Sequence, residues 1–292
     1  MQSWTQRQAE VAAVAERQLF FVGGAPRSGT TWLQHILDAH LDICCRGEGH
    51  FLHFLATPMG GVMQHRREQL QRKNTRLFRN VGGYPLPDPE DVEFLVGSAI
   101  LTALAQQCDG HPYPIVGEKT PENVFYFPNL KRLFPAAKFV GIVRDPRDTL
   151  VSAWHLIPQE RRLGDAALEL MPFIRQAVGA VSQFTNGMLS LRQRYPADVM
   201  IVTYEALLRD PETTVAALYR FLGAAATPAI VADSIAKTSF AAMSGRPAGI
   251  EDNGAFMRKG VAGDWRAYLT PEMNQVVLGQ FGSLFPRFGW EI

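Results

Sequence analysis

The stretch Phe20–Leu33 reads FFVGGAPRSGTTWL and governs how the rest of the chain is interpreted. Residues 19–22 form a short apolar run that stops at two glycines, which predicts a buried strand ending in a turn. Apolar residues then recur at spacings of three and four, which predicts a helix from about Gly29 to about His40. A strand, a glycine turn and a helix start aim backbone N–H groups at one point, so we expect an anion there.

The loop departs at one position from the common nucleotide-binding pattern G-x-x-x-x-G-K-[ST]. Gly24 and Gly29 hold the glycine positions and Thr31 the hydroxyl position, but Thr30 stands where the pattern has lysine. The cation has moved to Arg27, inside the loop. Glycine pairs also mark plain turns, so a purely structural loop is the alternative. A cation and three hydroxyls are unnecessary in a mere turn, and they favour anion binding.

The 292-residue chain has 47% apolar and 20% charged residues, which is the composition of a globular α/β protein. We expect one domain over residues 1–292. The net charge of +1 argues against a chain-wide basic surface for nucleic acid. The three cysteines form neither a disulfide framework nor a C-x-x-C metal pair, which favours a reducing compartment. The sequence has no signal-peptide pattern and no run of 18 apolar residues, so we expect a cytoplasmic protein without a membrane partner.

A second apolar run, Lys138–Val143, predicts another parallel strand, which leads directly into Arg144. Asp145 and Pro146 suit the cap and the first turn of a following helix, which would carry Ser152. Ligands bind at the carboxyl ends of strands in an open parallel sheet, so Arg144 and Ser152 are candidates for a second anion site. The alternative is that Arg144 pairs with a neighbouring aspartate and has only a structural role.

The end of this second strand also bears on metal use. A nucleotide triphosphatase needs an acidic residue there to hold Mg²⁺, and this chain has Arg144 in that place. Two basic anion sites without an evident metal carboxylate predict a nucleotide that carries phosphates at both ends of its ribose. They also predict a group transfer that needs no metal.

A third cluster lies between the two anion sites. Lys119 follows a short apolar run, and Pro121 ends any strand there, so Lys119 is either a site residue or a solvated edge residue. Glu48 and His50 lie in RGEGHFLHF, past a predicted turn. The alternatives are an ordinary surface carboxylate for Glu48 and, for His50 with His53, a half-buried pair or a weak metal site.

Together these residues resemble the sulfotransferases that use 3′-phosphoadenosine-5′-phosphosulfate (PAPS). APRSGTTWL at 25–33 is similar to that family's 5′-phosphosulfate loop, in the arginine form of tyrosylprotein and some carbohydrate members. VRDPRDTLVSAWH at 143–155 is similar to its 3′-phosphate segment. FMRKGVAGDW at 256–265 closely resembles the closing motif of cytosolic members. The segments 203–205 and 238–243 resemble the strand-end tyrosine motif and the segment beside the adenine. The resemblance spans residues 19–270.

The resemblance implies a fold, a donor and a set of binding residues. The fold is α/β, a single-domain doubly wound parallel sheet of the P-loop NTPase-like sulfotransferase type. The implied donor is PAPS, with PAP (3′-phosphoadenosine 5′-phosphate) as product and no metal. The implied nucleotide-binding residues are Arg27, Ser28, Gly29, Thr30, Thr31, Trp32, Arg144, Ser152, Tyr204, Ser239, Phe240, Arg258, Lys259 and Gly260.

The resemblance also implies the catalytic residues. Arg27 would take over the task of the missing loop lysine, and Lys119 would stabilise the departing bridging oxygen. Cytosolic members carry a base histidine two residues after this lysine, where this chain has Pro121. Carbohydrate and tyrosylprotein members instead use a glutamate about twenty residues beyond the loop, and Glu48 lies 21 residues after Arg27. We therefore predict Glu48 as the general base, with His50 orienting it or relaying the proton.

The acceptor, the assembly and two rival functions stay open. The acceptor is a small molecule, a lipid, a polyketide or a carbohydrate, bound by residues 51–89, 158–195 and 244–256. A homodimer is possible, although the dimer motif of cytosolic members is degraded after Trp265. The rivals are a kinase-type phosphotransferase on the same fold and a non-catalytic nucleotide-binding module.

Overall fold

The computed structural model describes residues 3–157 and 169–292. These residues contain a five-stranded parallel sheet with the strand order β2-β3-β1-β4-β5. The strands are β1 (Gln18–Gly23), β2 (Ile43–Cys45), β3 (Ile115–Lys119), β4 (Lys138–Val143) and β5 (Val199–Thr203). The described helices are α1 (Trp4–Ala15), α2 (Thr30–Asp38), α3 (Thr57–Arg76), α4 (Pro89–Cys108), α5 (Asn123–Leu133), α6 (Pro146–Leu156), α7 (Leu170–Arg194), α8 (Tyr204–Arg209), α9 (Pro211–Leu222), α10 (Pro228–Lys237), α11 (Phe240–Ser244), α12 (Pro271–Phe281) and α13 (Phe285–Phe288). Single turns of other helix types occupy Phe51–Ala56, Asp264–Ala267 and Gly282–Leu284.

Both faces of the sheet are covered by helices. Leu19 and Phe21 of β1 pack into one apolar core, with residues of α4, α5, α7 and α12. Phe20 and Val22 of β1 pack into the other core, with residues of α2 and α9. A strand buried on both faces needs apolar residues at every position, which explains the unbroken run at 19–22. The predicted doubly wound parallel sheet is confirmed.

The strand order brings the predicted motifs to one edge of the sheet. β1 lies between β3 and β4, with Val22 opposite Lys119 and Gly23 opposite Gly141. Because all the strands are parallel, their carboxyl ends meet at the same edge. The loop after β1, the end of β3 and Arg144 after β4 are therefore neighbours.

The helices that follow these strands begin as the sequence predicts. α6 starts at Pro146, and its cap Asp145 accepts a hydrogen bond from the N–H of Arg147 at 2.9 Å. α2 starts at Thr30 and ends at Asp38, two residues before the predicted end. Both helices thus point their amino-terminal ends at the edge where the strands stop.

Two of the longest helices differ in how much of their surface they bury. α3 has 20 residues and buries none of them, while α7 has 25 residues and buries an apolar stripe that includes Ile174 and Met188. Across the described ranges, no helix is both long enough and apolar enough to span a lipid bilayer.

Candidate active site

A cavity of about 540 Å³ opens at the edge where the strands end. Most of the predicted site residues line it: Arg27, Gly29, Thr30, Thr31, Trp32, Glu48, Arg144, Ser152, Tyr204, Ser239, Phe240, Arg258, Lys259 and Gly260. Lys119 and His50 do not line it themselves, but both contact the carboxylate of Glu48, which does. Ser28 is separate from the cavity.

The loop after β1 is shaped by its own hydrogen bonds. The N–H of Ser28 donates to the carbonyl of Ala25 at 3.0 Å, and the Ser28 hydroxyl donates to the same carbonyl at 2.6 Å. Ser28 is 1% exposed and both of its donors bind Ala25, so it holds the turn, whereas the resemblance implies that Ser28 binds the nucleotide. No side chain of the described residues caps α2 at Gly29. The first-turn N–H groups of α2 are therefore the free donors that the sequence predicts for an anion.

Arg27 lies in a cluster of positive charge. Its backbone is left-handed, with φ of 71°, which turns the side chain into the cavity. Its Nε donates to the Ser152 hydroxyl at 3.3 Å, and its Nη2 donates to the carbonyl of Phe256 at 2.6 Å. Burial, and then the positive charges of Arg144 and Arg258, lower the pKa of the Arg27 guanidinium below its ordinary value. Converging cations of this kind are stabilised by an anion between them.

Arg144 pairs with one neighbouring aspartate, Asp148, as the structural alternative requires, but only at the long distance of 3.9 Å. Asp145 pairs with Arg147 at 2.6 Å instead. Arg144 Nη1 donates to the carbonyl of Arg27 at 3.3 Å, which joins the two predicted anion sites. Its Nε is buried, and no partner for it exists among the described residues. A buried donor without a partner is costly, so Arg144 is suited to a ligand.

The basic pair of the closing segment has a partner that sequence reasoning missed. Lys259 Nζ lies 2.5 Å from Asp264 Oδ1, and Arg258 contacts the other oxygen of the same carboxylate. Asp148 in turn accepts hydrogen bonds from the N–H groups of Gly263 at 2.7 Å and Trp265 at 2.9 Å. The only sequence signal for Asp264 is an acid a few residues after a basic pair. It holds two candidate phosphate-binding cations at the cavity wall.

Aromatic rings form another part of the wall. Trp32 and Tyr204 are edge to face with ring centroids 5.3 Å apart, and Trp32 Nε1 donates to the carbonyl of Thr238 at 2.8 Å. Gly260 has φ of 68°, and a Cβ at that position would lie 2.2 Å from the ring of Phe240. Only glycine therefore lets the closing segment pack on Phe240. Ser239 caps α11 beside it.

Glu48, Lys119 and His50 form a connected group, because the Glu48 carboxylate contacts both of the other side chains. Lys119 is 3% exposed, and its Nζ contacts Glu48 Oε1 and donates to the Thr31 hydroxyl at 3.3 Å. His50 Nε2 lies 3.2 Å from Glu48 Oε2. The group joins the first loop, the end of β3 and the segment before Phe51. It places the Glu48 carboxylate on the cavity wall, in contact with a buried ammonium.

The weak metal site that the sequence offers as an alternative for His50 and His53 has no ligand set among the described residues. Within residues 3–157 and 169–292, no group of three or more His, Cys, Asp or Glu side chains is arranged to hold a metal. The ring of His53 packs on Phe54, with centroids 4.9 Å apart. His50 is instead engaged by Glu48.

We expect the Asp264 network to make stability depend on pH. Burial raises the pKa of Asp264, but hydrogen bonds from Lys259 and Arg258 outweigh it and leave that pKa below its ordinary value. A carboxylate with a depressed folded pKa stabilises above its unfolded pKa of about 3.9, and this contribution is lost as pH falls through the folded pKa. Asp264→Asn should therefore lower the free energy of unfolding by about 1–3 kcal/mol at pH 7, and by less near pH 3. Urea titrations of both proteins at the two pH values measure this, and an equal difference at both would contradict it.

The comparisons with known proteins agree on one family. The sequence model described as "Sulfotransferase family" matches residues 20–228. Sulfotransferase 2B1 of Rattus norvegicus is 30% identical over 172 residues, covering 53% of this chain and 50% of that protein. Protein-tyrosine sulfotransferase of Drosophila melanogaster is 26% identical over 212 residues, covering 71% of this chain and 38% of that protein. The chain thus spans between 38% and 65% of the length of the curated relatives it matches first.

Solved structures show the same fold. Sulfotransferase STF9 from Mycobacterium avium superposes with a TM-score of 0.59 at 15% identity, covering 99% of this chain and 81% of that one. Mouse sulfotransferase SULT7A1, solved in complex with PAP, superposes with a TM-score of 0.58 at 20% identity, covering 96% and 90%. The predicted sulfotransferase fold is confirmed by these superpositions. The family model matches residues 20–228, which is well over half of this chain, so the chain belongs to the Sulfotransferase family.

Proposed function

We propose that the protein transfers a sulfuryl group from PAPS to an acceptor hydroxyl or amine. The observation that carries this proposal is the contact of one buried ammonium, Lys119, with both Thr31 of the first loop and the carboxylate of Glu48. Donor loop, leaving-group cation and candidate base are thereby adjacent, as an in-line transfer requires. Mouse SULT7A1, which shares the fold, was solved with PAP, and this supports a PAPS donor here.

The 5′ end of the donor would bind at the first loop. The N–H groups at the start of α2 and the guanidinium of Arg27 would hold the 5′-phosphate and the transferring group. A guanidinium inside the loop supplies the charge that a lysine supplies at position 30 in the common pattern. Ser28 would act indirectly, by holding the turn with Ala25.

The 3′-phosphate would bind at the other end of the cavity. Arg144 and Arg258 each have a buried Nε without a partner among the described residues, which is the donor set that a phosphate would satisfy. Ser152 and Lys259 would complete this site. Trp32 and Phe240 would flank the adenine, beside Tyr204 and Ser239.

The transfer would proceed at the side of the cavity where Lys119 meets Glu48. The acceptor oxygen or nitrogen forms a bond to sulfur as the bond from sulfur to the bridging phosphate oxygen breaks. Lys119 stabilises the charge that develops on that bridging oxygen, and Arg27 the charge on the sulfuryl oxygens. Glu48 takes the acceptor proton, and His50, at 3.2 Å, orients the carboxylate or relays the proton onward.

The acceptor, the assembly and the location are proposed more broadly. A small molecule, lipid, polyketide or carbohydrate fits a cavity whose wall includes Leu156 and Phe256 as well as polar groups. Of the segments predicted to bind it, residues 158–168 lie outside the described residues. A single domain, a cytoplasmic location and a homodimer stay predictions.

One experiment distinguishes sulfuryl transfer from phosphoryl transfer. The protein is incubated with an acceptor panel and either labelled PAPS or labelled ATP with Mg²⁺, and label on the acceptor is counted. We expect label from PAPS, in the presence of EDTA, and none from ATP. Transfer from ATP alone would support the kinase-type alternative, and tight PAP binding without transfer to any acceptor would support a non-catalytic module.

The 3′-phosphate should supply much of the nucleotide affinity. We expect PAP to bind at least about 100-fold more tightly than 5′-AMP, because two or more charge-assisted hydrogen bonds are worth about 1.5–3 kcal/mol each. Isothermal titration calorimetry measures both affinities. Arg258→Met should weaken PAP binding far more than 5′-AMP binding. Equal affinities for the two ligands in the unaltered protein would refute the two-site proposal.

A further inference from the structure

A buried carboxylate next to the site has no role in the chemistry proposed above. Glu118 precedes Lys119 at the end of β3 and is 2% exposed. Its Oε1 accepts a hydrogen bond from the N–H of Gly49 at 2.6 Å, and the hydroxyl of Thr120 donates to the same oxygen. Its Oε2 accepts from Asn123 Nδ2 at 2.8 Å. Three donors converge on this carboxylate, so its burial is compensated.

The segment that these bonds hold is the one that carries Glu48 and His50. Gly47 and His50 both have left-handed backbone conformations, with φ of 63° and 44°. His50 adopts this conformation although it is not a glycine. Such a backbone persists only where its surroundings hold it in place. The N–H of His50 donates to the Thr120 hydroxyl oxygen at 3.1 Å, next to the bond between Gly49 and Glu118. Two consecutive backbone donors are thus fixed to the end of β3.

Glu118 and Lys119 hold this segment from two sides. Consecutive residues of a strand point to opposite faces of the sheet. Lys119 contacts the side chain of Glu48, whereas Glu118 binds the backbone immediately after it. Burial raises the pKa of Glu118 above its ordinary value, and hydrogen bonds from Thr120, Asn123 and Gly49 limit that rise.

We propose that Glu118, together with the Thr120 hydroxyl, is a positioning residue that holds Glu48 and His50 in the geometry for proton removal. Its effect on turnover rests on the proposed sulfuryl transfer. Its effect on the backbone of residues 48–50 does not. A displacement of about 1 Å in a reacting group lowers a rate by about 100-fold, so a loosened segment should show clearly in kcat.

The test uses the full chain with Glu118→Gln and a matched control, Glu205→Gln. Glu205 is a half-buried carboxylate in the first turn of α8, directly after β5, and it accepts from the N–H of Asp145 at 2.9 Å, beside the proposed 3′-phosphate site. A glutamine at position 118 offers one acceptor oxygen to three donors, so at least one of these hydrogen bonds is lost. We expect Glu118→Gln to lower kcat about 100-fold with little change in PAP affinity. We expect Glu205→Gln to weaken PAP binding more than it lowers kcat.

Hydrogen–deuterium exchange supplies a readout that does not depend on turnover. The amides of residues 49–50 should exchange faster in Glu118→Gln and in Thr120→Val, while Thr120→Ser, which keeps the hydroxyl, should restore slow exchange and kcat. Unchanged exchange, or faster exchange with normal kcat, would overturn the positioning role. If the unaltered protein transfers no sulfuryl group, the proposed function fails, while the exchange data still decide whether Glu118 holds the segment.

Discussion

Glu48→Gln is expected to lower kcat by about 100-fold to 10,000-fold, the usual contribution of a positioned general base. Glutamine keeps the size of the side chain and an oxygen toward Lys119, but it cannot accept the acceptor proton. PAP affinity should stay within a few-fold of the unaltered protein, because Glu48 contacts Lys119 and His50 and none of the proposed phosphate-binding cations. Single-turnover transfer and calorimetry measure the two quantities separately.

The control for this substitution is Glu122→Gln, since Glu122 is another carboxylate on the wall of the same cavity. It lies outside the pair formed by Lys119 and Glu48, so we expect it to lower kcat by less than about tenfold. Full activity in Glu48→Gln would remove Glu48 as base. A loss confined to PAP binding would mean that Glu48 acts on the donor instead.

Lys119→Met is expected to lower kcat by about 100-fold to 1000-fold, the effect of removing one group that stabilises transition-state charge. Methionine is apolar and of similar length, so it fits a site that is 3% exposed. The lost charge matters mainly in the transition state, when negative charge develops on the bridging oxygen. PAP affinity should therefore change far less than kcat, and single-turnover transfer and calorimetry measure the two quantities.

Lys259→Met is the matched control for Lys119→Met. Its ammonium pairs with Asp264 at the other end of the cavity. We expect this variant to raise the dissociation constant of PAP and to leave kcat at saturating PAPS near that of the unaltered protein. If Lys119→Met behaves in the same way as Lys259→Met, Lys119 binds the donor and does not stabilise the leaving oxygen.

Several features follow directly from short stretches of sequence. The run at 19–22 and the run at Lys138–Val143 predict strands because unbroken apolar segments suit positions covered on both faces. The cap at Asp145 is readable because capping depends on residues within one turn. The family resemblance, which the match over residues 20–228 confirms, rests on motifs of this local kind.

Other features depend on groups that are far apart in the chain. Asp264 holds Arg258 and Lys259, and Phe256 accepts a hydrogen bond from Arg27 across 229 residues. Glu118 shows no signal in the sequence, because a carboxylate at a strand end is exposed in most proteins. Its burial and its contact with Gly49 exist only once the segment after β2 folds over the end of β3.

The sequence by itself therefore determined the parallel α/β sheet, the glycine loop with arginine in place of lysine, and the family. These properties are local: backbone N–H groups at a helix start, apolar runs and caps are set by neighbouring residues. Only the tertiary structure decided that Glu48 meets Lys119, which lies 71 residues further along the chain. The physical reason is that parallel strand order and register, which no short segment encodes, choose the side chains that share one edge of the sheet.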